Sequence, residues 1–328
     1  MKYDAEYYNQ IREKANNQIL GIIKDYRENP EHIIEYLQFC SKMYRYSLNN
    51  TILIYSQNPN ASYVQSFDQW RKLGYSVRRG EHGLDVFVPV YITYVKDNGQ
   101  WRRLQDIKGT PLFKDYKEGR LEEKKQLSFK IGKTYDISQT TCPLERYPDF
   151  MMLGYKSDMH KEIIEGLVVF NRKYLDTDVN FKNLNSVTLK GYNAVGQHQI
   201  FINDFFGDNE QLSTLIHETG HQILHQESQG EKSLAQIEFE ADAFSIICNN
   251  CFGLDVEESR KKHLVSHGKQ MFLEHSDSDK EEYLKEVLNN VLEMSKKHME
   301  TMRQEINFVH EKHREKGKEK GETKGIEK

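Results

Sequence analysis

Residues 215–225 read LIHETGHQILH, and this stretch constrains the fold more than any other. On an α-helix, residues i and i+4 share a face, so His217 and His221 can present imidazole nitrogens to one ion. Glu218 sits one position round, placed to reach a water on that ion rather than the ion itself. The helix must also be packed, because Leu212, Leu215, Ile216, Ile223 and Leu224 make it amphipathic. Gly220 inside it costs about 1 kcal/mol of helix propensity relative to Ala, which points to a close neighbour. A site of this type takes one more protein ligand and leaves a fourth position open. The segment EFEAD, 238–242, offers one. Glu238 and Asp242 share a helical face, Glu238 as ligand and Asp242 as acceptor for the far ring nitrogen of a ligand histidine. Glu240 lies on a different face and is the second choice. The expected cofactor is Zn2+, and the expected general base is Glu218.

The rest of the chain divides by pattern. Residues 4–57 carry apolar residues at three- and four-residue steps, with breaks at Asn29-Pro30 and Asn58-Pro59, and read as helices. LDVFVPVYITYV is an apolar, β-branched run, and the Asn98-Gly99 pair after it suits a tight hairpin turn. Lys108–Leu127 is charged and weakly periodic, and is expected to be a solvated insertion. Helical pattern resumes near Ser157, a strand follows in QHQIFIND, and Asp208 with Gln211 resembles a capping box opening the motif helix. A second helix covers SLAQIEFEADAFSIICNNC. From Asp279 to about Lys312 one long amphipathic helix is expected, with Leu284, Val287, Leu288, Val291, Leu292 and Met302 in its stripe. The final Lys/Glu/Gly-rich stretch reads as disordered.

Composition excludes some classes. The net charge is −4, so a globally basic nucleic-acid binder is excluded while a local basic face is not. No run of 18 apolar residues exists, so no membrane span is expected. The charged N-terminus lacks the apolar core of a signal peptide, and four cysteines are too few for a disulfide framework, which together imply a cytoplasmic protein. The Cys248-x-x-Cys251 pair reads as buried and structural rather than as a second metal or redox site. His198, His263 and His267 are candidates for stabilising an oxyanion, with no role assigned.

Between Lys42 and Arg103, nine cations face four acids, a local excess of +5. Tyr44, Tyr46, Tyr55, Tyr63, Phe67, Trp70 and Tyr75 interleave with them. Single-stranded nucleic acids stack bases on aromatics while cations track their phosphates, so this segment is the candidate DNA surface, with Arg71, Lys72, Arg78 and Arg79 as candidate contacts. Trp70 is expected in the core, because Phe67, Trp70, Leu73 and Gly74 lie at helical spacing.

Two family resemblances add to this reading. HETGHQILH followed by EFEADAFSIICNN resembles the ImmA/IrrE-type metallopeptidases, with Glu238, Ala241, Asp242 and Phe244 matching the second motif. This implies zinc on His217, His221 and Glu238, Glu218 as base, and QIFIN as the edge strand that would hold an extended peptide. The N-terminal half resembles the single-stranded-DNA-binding domain of ArdC-type antirestriction proteins and the LtrC-like proteins of plasmids and conjugative elements. The matching positions are Ser47, Asn50, Gln57, Pro59, Trp70, Leu73, Gly74, Arg78, Arg79, Gly80, Glu81, Gly83 and Pro89, and then Tyr135–Thr140.

The expected architecture is α+β: an ArdC-like single-stranded-DNA-binding domain over 1–145, a zincin-like, gluzincin-type metallopeptidase domain over 150–275, and a long helix with a disordered tail over 276–328. The expected function is that of a mobile-element protein that binds single-stranded DNA and hydrolyses a peptide bond in a protein partner, such as a repressor or host defence protein. The rival reading is an antirestriction protein whose zinc site is structural or vestigial.

Overall fold

The computed structural model describes residues 5–29, 32–147, 159–226, 232–273, 275–276 and 279–325. Three helices open the chain: α1 (Ala5–Glu28), α2 (His32–Lys42) and α3 (Leu48–Gln57). The expected breaks lie between α1 and α2 and after α3, although Pro30 itself falls outside the described residues. Next come β1 (Val64–Ser66), α4 (Phe67–Lys72), β2 (Leu84–Asp97), β3 (Gln100–Arg103), α5 (Pro111–Lys117) and β4 (Glu123–Asp136). The strands form one antiparallel sheet in the order β1-β4-β2-β3. The β2–β3 turn is the expected one: Asn98 and Gly99 both adopt positive φ, 47° and 81°, as a two-residue hairpin loop requires.

The solvated insertion expected over Lys108–Leu127 is corrected by the structure. Its first part holds α5, and its last residues belong to β4, where Glu123–Leu127 pair with Tyr91–Val95. The first residues of β4, Glu123–Gln126, are charged or polar, so their strand character comes from pairing with β2 rather than from their own composition.

The second half contains α6 (His160–Tyr174), β5 (Asp178–Lys182), β6 (Gly191–Ala194), β7 (Gln199–Asn203), α7 (Asp208–His225), α8 (Leu234–Cys251), α9 (Glu258–Leu273) and α10 (Lys280–Gly325). The expected start of α6 near Ser157 lies outside the described residues. Three corrections follow. Asp208 is the first helical residue of α7 rather than its cap; Gly207 occupies that position with no side-chain cap, and the Gln211 amide donates to the Phe206 carbonyl. β7, the QIFIN strand, is central and not an edge: it pairs with β5 in parallel and with β6 antiparallel. The C-terminal stretch expected to be disordered continues α10 through Gly325. Lys, Glu and Arg are good helix formers, and extending a helix that is already nucleated by packing costs little.

α2 and α3 bury residues on two sides. Ile33, Leu37, Cys40, Leu48 and Ile52 join the large core built by α6, α7, α8 and α10, whereas Phe39, Met43 and Ile54 pack under the sheet with Val64, Leu84 and Val86. The first helices are thereby packed into both halves of the chain. α6 crosses α10 so closely at Gly166 that a Cβ there would lie 2.6 Å from the Ile306 Cα. Gly166→Ala is expected to lower stability by about 1–3 kcal/mol, because overpacking against backbone outweighs the gain in helix propensity of about 1 kcal/mol. Denaturant unfolding checks this; a variant as stable as the parent would refute it. Among the described residues, no helix is long and apolar enough to cross a membrane.

Candidate metal centre and nucleic-acid surface

α7 and α8 lie side by side, and their contact assembles the site. His217 and His221 face each other across one helical turn with their Nε2 atoms 3.1 Å apart. Glu238, one turn into α8, places Oε2 3.5 Å from His217 Nε2 and Oε1 3.7 Å from His221 Nε2. Three ligand atoms within 4.8 Å of one another, two imidazole and one carboxylate, make a group that can hold a metal ion. The separations suit the purpose: metal–ligand bonds of about 2.0–2.2 Å in tetrahedral array put ligand atoms about 3.3–3.6 Å apart. Among the described residues, no other group of this kind is found. Gly220 permits the approach of the two helices, since a Cβ there would meet the Phe244 ring at 3.0 Å.

The electrostatics follow from burial. His221 is pushed down to about 3 by burial and then by neighbouring His217, so its ring is neutral and its lone pair free to bind. Burial also disfavours charge on His217, but the Asp242 and Glu238 carboxylates outweigh it and hold its pKa above the ordinary imidazole value. Glu218 is 7% exposed, and burial raises its carboxyl pKa against the opposing pull of His217 and Arg260. Asp242 is buried, which opposes its ionisation, yet hydrogen bonds from His217 and His267 and the charge of Arg260 hold it well below the usual carboxylate range. Its Oδ1 lies 3.2 Å from His217 Nδ1 and accepts from Arg260 Nη1 at 2.8 Å, that same Nη1 also lying 2.8 Å from His217 Nδ1, while Oδ2 faces His267 Nδ1 at 3.3 Å.

Glu240 is fully buried away from the ligand atoms. It pairs with His225 and Lys232 and accepts from Gln236, which places the second-choice ligand among other partners than His217 and His221. A cleft of about 710 Å³ opens beside the ligand atoms and Glu218, lined on one side by Lys190, Gly191, Tyr192 and Asn193 of β6 and its approach. The edge strand beside the site is therefore β6. Asn193 fixes it to the motif helix by donating Nδ2 to the Glu218 carbonyl at 2.7 Å. Of the three unassigned histidines, His263 lines the cleft, His267 serves Asp242, and His198 faces Gln226 at positive φ.

Sequence reasoning missed His225, Arg260 and Asn193. His225 was legible, being eight residues after His217 on the same helical face; Arg260 sits on the charged, weakly periodic α9, and Asn193 carries no motif. Cys248 and Cys251 are buried as expected, burial raising both thiols, Cys251 to about 12. The Cys251 thiol donates to the Ser41 carbonyl, tying α8 to α2.

In the first half, the matched motif residues build the scaffold. Asn50 accepts from Phe87 N and donates to Phe87 O, at 2.7 and 2.9 Å, and Gln57 does the same for Asp85, so α3 caps the open edge of β2 with side-chain amides. Asp136 accepts from the backbone of Ser62, Tyr63 and Ser138. Trp70 is fully buried, as expected, and donates Nε1 to the Tyr135 carbonyl. Arg71, Lys72 and Arg79 are exposed, and Arg78, also exposed, donates to the Ser138 carbonyl. A separate groove of about 680 Å³ lies between α3, the β2–β4 pair and α10, with Arg45, Phe87, Leu127, Phe129 and Lys296 in its wall and no acidic side chain among those lining it.

Comparison with known proteins finds two separate matches along the chain. Residues 2–137 match the N-terminal domain of anti-restriction factor ArdC, and residues 172–263 match the IrrE N-terminal-like domain of the M78 peptidases. An uncharacterized protein of Bacillus anthracis, pXO2-81, is 27% identical over 290 residues, covering 80% of this chain; the chain spans about half the length (48%) of that relative. The metal-free crystal structure of the antirestriction ArdC protein from the R388 plasmid aligns with TM-score 0.43 at 15% identity, over 80% of this chain and 85% of that one. Its Mn(II)-bound structure gives 0.42 and 14% over the same shares. The chain is thus similar to an ArdC N-terminal domain over residues 2–137 and to an IrrE N-terminal-like domain over residues 172–263.

Proposed function

We propose that this chain is a DNA-protection protein of the antirestriction type that binds single-stranded DNA and carries a zinc-dependent peptidase site. The observation that carries the peptidase reading is the convergence of His217, His221 and Glu238 beside Glu218 in a cleft bordered by an edge strand. His217, His221 and Glu238 would hold the ion, with Asp242 orienting His217 through its far ring nitrogen. A zinc ion held there supplies Lewis acidity, lowering the pKa of a water toward about 7 and polarising a carbonyl. Glu218 accepts the proton of the attacking water and passes it to the leaving amine. The outer edge of β6 has no strand partner among the described residues, and an extended peptide fits there by main-chain hydrogen bonds. Asn193 adds an acceptor, since its buried Oδ1 has no partner among the described residues. His263 and Arg260 line the same cleft and supply donors for an oxyanion. Comparing the proteins cleaved in cells that carry wild type or Glu218→Gln tests this: a product present only with wild type identifies the partner. Identical patterns favour the second reading, a DNA-protection protein with a structural metal site, which the ArdC-type match supports.

The DNA reading rests on exposed cations and aromatics. Arg71, Lys72, Arg78 and Arg79 supply phosphate contacts, and the groove with Phe87 and Phe129 supplies stacking faces beside Arg45 and Lys296. Phe129 is 45% exposed, and it meets Phe87 edge-on at 6.4 Å. Because α2 and α3 are packed into both halves, the full chain is the proper test object. Arg78→Ala with Arg79→Ala is expected to weaken binding of a fluorescent oligonucleotide for all sequences alike, each lost phosphate contact flattening the log–log salt slope by about 0.7. Phe129→Ala is expected to cost about 1–3 kcal/mol. No affinity at low salt would refute the DNA reading and leave the metal reading standing.

A further inference from the structure

His225 has no place in the ligand set, yet it is buried against it. Its Nδ1 lies 3.2 Å from His221 Nδ1, and its Nε2 lies 2.9 Å from Glu240 Oε2. Glu240 is fully buried and saturated: Lys232 donates to Oε2 at 2.7 Å and Gln236 to Oε1 at 2.8 Å. Nothing in the site as described above uses this row of groups.

Proton positions along the row are dictated by its two ends. A carboxylate paired with a lysine accepts, so His225 Nε2 carries a proton. At the other end, His221 points Nε2 toward His217 and Glu238, and an imidazole that binds an ion through Nε2 carries its proton on Nδ1. Two ring nitrogens at hydrogen-bond distance share one proton, so His221 Nδ1–H donates and His225 Nδ1 accepts. Every donor then meets an acceptor from Glu240 to the ligand atom. A His225 protonated on both nitrogens would instead aim N–H at His221 Nδ1, and would force the His221 proton onto Nε2, the atom that faces the other ligands. His217 Nδ1 lies 3.2 Å from its carboxylate, Asp242, and 2.8 Å from the Arg260 Nη1 that donates to that carboxylate. Among the described residues, no carboxylate is paired with His221 Nδ1, which meets one only through an intervening imidazole.

We propose that His225 and Glu240 are positioning residues that fix His221 as an Nε2 ligand by accepting its Nδ1 proton. The inference rests on the metal-site reading given above, and it goes beyond that reading by assigning the tautomer of each ring and the origin of its orientation. An ion pair that only joins α7 to α8 would place no demand on which nitrogen of His225 is bare.

The test uses the full chain loaded with Zn2+. Two-bond proton–nitrogen correlations on ¹⁵N-histidine protein are expected to show His225 bare at Nδ1 and protonated at Nε2, and His221 protonated at Nδ1, with His225→Gln assigning the signals. A proton on His225 Nδ1 overturns the proposal. Competition for Zn2+ with a chromophoric chelator is expected to show His225→Leu binding about 10–100-fold more weakly than wild type. His225→Gln, whose side-chain carbonyl can accept from His221, restores part of the loss. Equal affinity of wild type and His225→Leu overturns this inference alone, whereas a wild type that binds no Zn2+ overturns the metal reading and this inference with it. If His225→Leu does not fold, the wild-type tautomers decide.

Discussion

Glu218→Gln is expected to keep its zinc and lose about 10²–10⁴-fold in peptide hydrolysis, the range contributed by a positioned general base. The separation of the two effects follows from geometry. The ligand atoms belong to His217, His221 and Glu238, and Glu218 is not among them. The amide is nearly isosteric with the carboxylate, so the helix and the cleft wall are retained. The Glu218 carbonyl, not its side chain, accepts the Asn193 amide, so the anchor of β6 survives the substitution. Metal content by elemental analysis and cleavage of the partner identified in cells check the two halves. A variant that loses zinc would show Glu218 to be a ligand, and one that cleaves at the wild-type rate would refute its role as base.

The second large effect is expected from the ligands. His217→Ala should abolish stoichiometric zinc binding, because two remaining donors do not complete a three-ligand site. With it should go the stabilisation that the ion confers: at zinc a hundredfold above Kd, wild type gains about 2.7 kcal/mol against unfolding, and the variant gains none. Glu238→Ala should behave likewise. Glu240→Ala should retain far more affinity, since Glu240 touches His225 and Lys232 rather than the ligand atoms. Thermal melts with zinc and with chelator check this. Equal losses in the Glu238 and Glu240 variants would refute the ligand assignment, and a zinc-dependent shift surviving in His217→Ala would refute the site.

The likeness of the structure to its sequence differs by region, and the difference has a cause. Where function sits on one helix, spacing is enough: a 3.6-residue period put His217 and His221 on one face, and the same period put Glu238 and Asp242 together on α8. The Asn98-Gly99 turn was legible because only a few residues tolerate positive φ, whereas Trp70 is core as expected but not for the expected reason, since Phe67 and Leu73 at the same helical spacing are exposed. Buried Cys248 and Cys251 followed from the apolar helix they sit on.

Other features were not written in any local stretch. Glu240 and Glu238 are two residues apart in one acidic segment. Their fates parted because α7 offered His225 to the first and a pair of ligand nitrogens to the second. The start of β4, Glu123–Leu127, looked like part of a charged insertion because its pairing partner, not its composition, makes it a strand. QIFIN looked like an edge because strand order within a sheet is invisible to periodicity; β5 and β6 close on both its sides, and the edge passes to β6. The long terminal helix outlasts its apolar stripe because propagation needs no new nucleus. The sequence by itself therefore determined which groups one helix presents together: two imidazoles and a carboxylate, then a second carboxylate one helix later, as well as a turn that Asn-Gly makes easily. The tertiary structure alone decided which strand borders the cleft, which partners bury Glu240, and that His225 stands between Glu240 and His221. Those outcomes depend on contacts between elements distant along the chain, set by packing rather than by spacing.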